Sequence, residues 1–355
     1  MGALYLGSTS GFSGKNMLAM ALGLQFQKEG YNVGYMKPVG AVPSQDEEKK
    51  GDEDAHFVQE VLGLDEDPEL VTPVVISPEF KAKAFAGECP DLVAKIKNAY
   101  EKLSKDKDVV IIGGSGSFFY SGKYCGVDGL TISRALGAKV VLIDRFHQEL
   151  NYDYLLAAKE MIQDEFIGAI LNDVPGQYMV EVESSIAPLL DRKNVKVLGV
   201  IPKDSLMGAI KVEDLAERLD GKIISAQDKT NRVVEKFLIG TMQVENFMTH
   251  FRRQRNSAIL VGGDRSDLHL VALEGKCPCL VLTGNLYPND IIISRSEALE
   301  IPIIVVRDDT YTVAKKMENI LGSTKLRDMI KIKHGAQLVH SAVDIAAIKE
   351  GMGML

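Results

Sequence analysis

The chain has no surplus of positive charge. Its 41 Lys and Arg face 49 Asp and Glu, a formal net charge of -8, so no diffuse basic surface exists to hold nucleic acid or an anionic membrane. No apolar run is long enough to span a bilayer, and the start lacks the charged, apolar and small-residue succession of a leader; a cytoplasmic protein with no membrane partner is predicted. Cysteine is scarce: Cys89, Cys125, Cys277 and Cys279. Only the last two lie close together. One intervening residue is too short for the usual zinc knuckle, which also needs a second ligand pair, so they read as reduced thiols beside a strand. There is no internal repeat and no low-complexity segment.

What is present begins at once. An apolar run, Ala3-Leu4-Tyr5-Leu6, opens into Gly7-Ser8-Thr9-Ser10-Gly11-Phe12-Ser13-Gly14-Lys15-Asn16, and residues 16–28 follow with apolar side chains at helical spacing. A polyphosphate needs several backbone N–H groups converging on one point, small residues that let the backbone approach, a helix N-terminus behind it and a lysine for the terminal phosphates. Strand, loop and helix supply all four, which predicts a nucleotide site built from Thr9, Gly11, Ser13, Gly14, Lys15 and Asn16. The usual pattern has Gly where this chain has Thr9, and Ser or Thr, a magnesium ligand, where it has Asn16.

With 355 residues, 46% hydrophobic and 25% charged, the chain suits two ordinary domains. Strand-like runs recur at 4–7, 32–36, 109–113, 139–144, 167–171 and 195–201, with helical patterns between most of them. This alternation predicts an α/β fold: a parallel sheet covered by helices on both faces, with ligands at the carboxyl ends of its strands. A second alternation, with strands at 222–225, 258–261, 279–283 and 302–306, predicts a smaller α/β domain. The domains are set at 1–204 and 205–322, followed by a helical tail, 323–355, with a basic stretch at 325–333 and one amphipathic helix at 336–349. The charged run 45–54 predicts a mobile loop.

Further chemistry clusters at strand ends. Lys37, in Met36-Lys37-Pro38-Val39, would bring a second cation near a terminal phosphate, or is a surface lysine before a turn. Asp52, Glu53 and Asp54 open a helix that runs to Leu62; they cap it, or one of them holds magnesium. His56 has no visible metal partner and reads as structural. The third strand ends at Gly113, where many ATPases place an acidic residue.

The loop, Lys37-Pro38-Val39, Asp54-Ala55, Gly113-Gly114-Ser115-Gly116, Leu171-Asn172-Asp173-Val174 and Gly199-Val200-Ile201-Pro202 occur in an order that resembles the dethiobiotin synthetase family of P-loop proteins. The whole chain is similar to the N-terminal part of long phosphotransacetylases. Gly262-Gly263-Asp264-Arg265-Ser266-Asp267, Leu282-Thr283-Gly284-Asn285 and Asp309-Thr310-Tyr311-Thr312 resemble the DRTGG domain, and the remaining length leaves no room for an acetyltransferase unit. The resemblance implies that Gly11, Gly14 and Lys15 cradle ATP phosphates, that Lys37 approaches the γ-phosphate or a substrate carboxylate, that Asp54 binds Mg2+, and that Asn172 meets the adenine edge. Asn16 and Gly113 stand where the family has hydroxyl and carboxylate ligands. An amide oxygen ligates magnesium weakly and glycine offers no side-chain oxygen, so phosphoryl transfer would be weakened while nucleotide binding survives; Asp52 is a possible substitute ligand.

In the second domain Asp264, Arg265, Thr283 and Asn285 are candidates for a small-ligand site, with Arg265 pairing an anion. The alternative is that Asp264 caps a helix and Arg265 packs against it. A helix cap is the alternative for Asp309 to Thr312 as well. Two functions follow: an ATP-binding regulatory or sensory protein with weak or no ATPase activity, or an ATP-dependent carboxylate-amine ligase on a small carboxylate, with Lys15 and Lys37 catalytic. A glutamine-dependent amide synthase is disfavoured because no cysteine lies in a glycine-flanked elbow. A homodimer and a separate acyltransferase partner are the remaining expectations.

Overall fold

Six runs of the first half are apolar on both sides because both sides are covered. In the computed structural model, which describes residues 2–44, 50–254, 256–322 and 329–354, they form β1 (Gly2–Ser8), β2 (Val33–Met36), β3 (Val109–Gly113), β4 (Lys139–Arg145), β5 (Phe166–Val174) and β6 (Val197–Pro202). The strand order is β2-β3-β1-β4-β5-β6, and every neighbouring pair is parallel. β2 and β3 are buried along their whole length, as a sheet sandwiched between helices requires.

Helix α1 (Lys15–Lys28) leaves the end of β1. It buries Met17, Leu18, Ala19, Met20, Ala21, Leu22, Gly23 and Phe26, more than the single stripe of a surface helix. The reason is a second cover. Its inner side rests on β1 and β3, and its remaining faces meet α2 (Glu53–Leu62) and the C-terminal helix Met329–Ala342. Gly23 permits the α2 contact, since a Cβ there would stand 2.7 Å from a Leu62 methyl.

The chain divides into two compact units, residues 1–203 with 326–355, and residues 204–325. The C-terminal segment therefore belongs to the first unit. Its single expected helix is two, Met329–Ala342 and Ile345–Gly351. The break falls where Val343 bridges Gly199 of β6, the Asp344 N–H donates to the Leu198 carbonyl at 2.7 Å, and the Asp344 carboxylate caps the next helix through the Ala347 N–H at 2.9 Å. Lys349 pairs with Glu29 at the end of α1, 2.8 Å away. A Cβ on Gly199 would overlap the Ala342 carbonyl oxygen. Gly199→Ala is expected to cost about 2 kcal/mol, the scale of an overpacked core site, read as a lowered urea midpoint; an unchanged midpoint would show that the C-terminal segment yields freely. Of the basic stretch, residues 325–328 lie outside the described residues, as do residues 45–49 of the charged run.

The second unit holds β7 (Lys222–Ser225), β8 (Lys236–Ile239), β9 (Ser257–Gly262), β10 (Leu280–Thr283) and β11 (Ile303–Val305), in the order β7-β11-β10-β9-β8. All pairs are parallel except β7 with β11. Two apolar layers flank this sheet. Cys279 lies in one, with Leu260, Val281 and Met317; Cys277 lies in the other, with Phe251, Ile259 and Leu280. Burial pushes the Cys277 thiol up to about 12 and that of Cys279 well above its usual value, so both are protonated core thiols, as their spacing predicts.

Candidate nucleotide site

The N-terminus of α1 is left bare. Asp52 caps α2, Asp91 caps the helix Leu92–Leu103 and Asp128 caps Gly129–Leu136. At α1 the cap is Gly14, with φ 100° and ψ 11°, no side-chain acceptor and no acid in the first turn. Its free N–H groups and positive dipole end face the loop uncompensated, an arrangement suited to an anion. Gly14 is required twice over: its φ is left-handed, and a Cβ would stand 2.6 Å from the Asn172 amide nitrogen. A Cβ on Gly11, by contrast, would meet nothing within 4 Å. Phe12, at φ 52°, is the strained residue of the loop tip.

Side chains of the loop mostly brace it. Thr9 turns inward and donates to Asp144 Oδ1 at 2.5 Å, and the Asn151 N–H donates to Asp144 Oδ2 at 2.6 Å. Burial still pushes the Asp144 carboxyl above its ordinary range. The Ser13 hydroxyl donates to the Ser10 carbonyl at 2.9 Å. Lys15 points to the floor of the loop, giving hydrogen bonds to Ser8 Oγ at 2.6 Å and the Gly116 carbonyl at 3.1 Å. Burial, and then the charge of Lys37, lower its pKa to about 8 against the opposing pull of Asp54. Lys15, Lys37 and Asp54 are thus within electrostatic reach of one another. Asn16, in the first turn of α1, makes no side-chain hydrogen bond among the described residues.

Lys37 is buried and held. Its Nζ lies 2.7 Å from Asp52 Oδ1 and 3.3 Å from Asp54 Oδ2. Asp52 is heavily engaged: Oδ1 also accepts from the N–H groups of Asp54 and Ala55, and Oδ2 from that of Val42 at 2.9 Å. Asp52 is a cap of α2 and a counter-ion of Lys37. Beside this cluster, β2 and β3 bring Tyr35 over Gly113, whose Cβ, were there one, would stand 2.6 Å from the Tyr35 hydroxyl. A phenol fills the space that a side chain at 113 would take. Among the described residues no three His, Cys, Asp or Glu side chains converge as a metal site. The donor set for magnesium is one carboxylate, Asp54, and one amide, Asn16, which fits an ion carried chiefly by phosphates and water. A narrow cleft opens nearby, lined by Tyr5, Pro38, Val39, Gly113, Ser115 and Ser121.

Asn172, at the end of β5, donates to the Ser13 carbonyl at 2.9 Å, which places its amide directly under the loop. Its neighbour reveals a residue that sequence reading missed. Arg145, ending β4, pairs with Asp173 at 2.8 Å and donates to the Phe12 carbonyl at 3.0 Å, tying the loop tip to the ends of β4 and β5. Phe146 packs against Tyr178 with ring centroids 4.8 Å apart. An arginine at a strand end carries no local pattern, so only the strand order could have found it.

In the second unit the four candidates gather at the carboxyl edge of the sheet. Asp264 and Arg265 follow β9, Thr283 ends β10 and Asn285 follows it, in the left-handed region at φ 55°. The two loops touch, since a Cβ on Gly263 would overlap the Leu286 carbonyl. Arg265 pairs with Asp267, which accepts from its Nε at 3.1 Å and its Nη2 at 3.0 Å. Asp264 does not cap the helix Ser266–Glu274, whose N-cap position is Arg265 with no side-chain cap bond. The Thr283 and Thr310 hydroxyls are 2.8 Å apart. Asp309 is a helix cap, accepting from the N–H groups of Tyr311 and Thr312.

A family model described as an AAA domain matches residues 3–211, more than half of the chain. The chain belongs to this AAA domain family. Behind the AAA domain, a DRTGG domain model matches residues 214–320. The phosphate acetyltransferase of Synechocystis sp. is 21% identical over 360 residues, covering 96% of this chain and 50% of its own length. That of Pseudomonas aeruginosa is 24% identical over 370 residues, covering 96% and 51%. The ATP-dependent dethiobiotin synthetase BioD of Methanococcus vannielii is 36% identical over 107 residues, 29% of this chain and 46% of that one. The chain spans about half the length of the phosphate acetyltransferases it matches. Its AAA domain is a P-loop ATPase-like unit followed by a DRTGG domain, the succession found at phosphotransacetylase N-termini.

Proposed function

We propose that this chain is an ATP-binding regulatory protein with weak or no ATPase activity, whose nucleotide state is read by its DRTGG domain. The carrying observation is the bare N-terminus of α1 beside the buried Lys15, set against an Asp52 engaged as counter-ion of Lys37 and cap of α2. In this reading the loop amides, Gly14 and Lys15 take the phosphates, Lys37 neutralises the terminal one, and Asn172 meets the adenine edge. Asp54 and Asn16 are the residues that would hold Mg2+, which would supply charge neutralisation on the phosphates. Asp264, Thr283 and Asn285 border the second-domain ligand site. By analogy with P-loop relatives we place the protein in the cytoplasm as a homodimer, acting on a separate acyltransferase.

Calorimetry with ATP, with and without magnesium, tests the reading. We expect binding in both conditions, changed less than about tenfold by the metal because only one carboxylate is on offer, and phosphate release no faster than background. Absence of ATP binding would overturn it. A second reading, the carboxylate-amine ligase, is favoured by the charge of Lys37 acting on the buried Lys15, two cations close enough to neutralise a carboxylate and a terminal phosphate together. Phosphate release that appears only on adding such a carboxylate would select it.

A further inference from the structure

Tyr35 is sealed from solvent, yet its hydroxyl has no hydrogen-bond partner among the described residues. A buried hydroxyl without a partner is costly and calls for an explanation. Its place in the fold supplies one. Tyr35 and Lys37 are two residues apart on an extended segment and so emerge on the same face of the sheet. The phenol reaches across to Gly113, the last residue of β3, which pairs with Leu6, immediately before the loop at Gly7. Gly113 also lines the cleft with Pro38, Val39 and Ser115. The hydroxyl is thus set at the carboxyl edge between the Lys37 ion pair and the phosphate loop.

We infer that the Tyr35 hydroxyl donates a hydrogen bond to the terminal phosphate of a nucleoside triphosphate bound in the loop, and so makes the site selective for tri- over diphosphate. The inference rests on the nucleotide reading above. Burial, and then the carboxylates of Asp52 and Asp54, hold the phenol's acidity well below normal, so the group stays a donor at any ordinary pH. No side chain at 113 competes for the position, and the phenol brings a neutral donor to a place already crowded by Lys15, Lys37 and Asp54, where a further charge would be costly.

The test is calorimetry of the full chain and Tyr35→Phe with ATP and with ADP, together with the melting temperature of each without nucleotide. We expect ATP to bind about tenfold more weakly in the variant, one charge-assisted hydrogen bond's worth, with ADP within twofold of wild type. The nucleotide-free variant should melt higher, because an unpaired buried hydroxyl has gone. Gly113→Ala, which crowds the hydroxyl without removing it, should show the same ATP-selective loss. Equal losses for ATP and ADP would mean that Tyr35 acts only on the fold, and no change in either would mean that it acts on neither; both overturn the inference while leaving the nucleotide reading intact. A wild-type protein that binds neither nucleotide overturns both.

Discussion

Lys15→Ala is expected to weaken ATP binding about 100-fold, the scale of removing one partner from a buried charge-assisted contact, as measured by calorimetry at pH 7. The pH dependence is more diagnostic. With a pKa of about 8 in the nucleotide-free site, the amine is mostly charged at pH 7, and a bound phosphate would raise that pKa. Above pH 8 ATP binding must then take up a proton, and affinity should fall by up to tenfold per pH unit. In the nucleotide-free protein the sign is opposite. Between about 8 and the ordinary lysine value of 10.5 the native state has lost a proton that the unfolded chain keeps, so Lys15 lowers stability below that window and ceases to do so above it. An affinity slope that persists unchanged in Lys15→Ala would assign the titration to another group and sink this account.

Asp52→Ala should produce the largest loss of stability, about 3–5 kcal/mol in urea unfolding. That is the usual cost of leaving one member of a buried ion pair behind. Lys37 would retain Asp54 at 3.3 Å, but α2 would lose its cap and the Val42 N–H its acceptor. Asp52→Asn preserves an oxygen for the cap and should cost less. Adding Lys37→Met to Asp52→Ala should recover part of the loss, since the orphaned charge is removed. A double variant as unstable as the sum of the two singles would refute coupling between them.

The parallel sheet of the first unit was legible because a strand buried on both faces must be apolar without interruption, and 109–113 and 139–144 could be little else. The phosphate loop was legible because its chemistry is contiguous. Relations between distant segments were not. Lys236–Ile239 went unrecognised as a strand: it is the edge of its sheet, half exposed, and begins with a lysine. The all-round burial of α1 was written in its composition, but nothing local said that residues 329–342 supply the outer cover. Gly113 announced a missing carboxylate, whereas Tyr35 as the group filling that space depends on the register of β2 against β3. Asp52 and Arg265 were recognisable as charged; that each pairs with a neighbour, Lys37 and Asp267, needed coordinates.

The return of the last helices to β6 and α1 means that the segment 204–325 is an insertion within the first unit and not an appendage to it. Cutting the gene after residue 204 would strip the jacket from α1 and yield a sticky fragment. An isolable first unit needs residues 2–203 spliced by a short linker to 329–354. By the same token the inserted segment is joined to the first unit through the polypeptide at both of its ends.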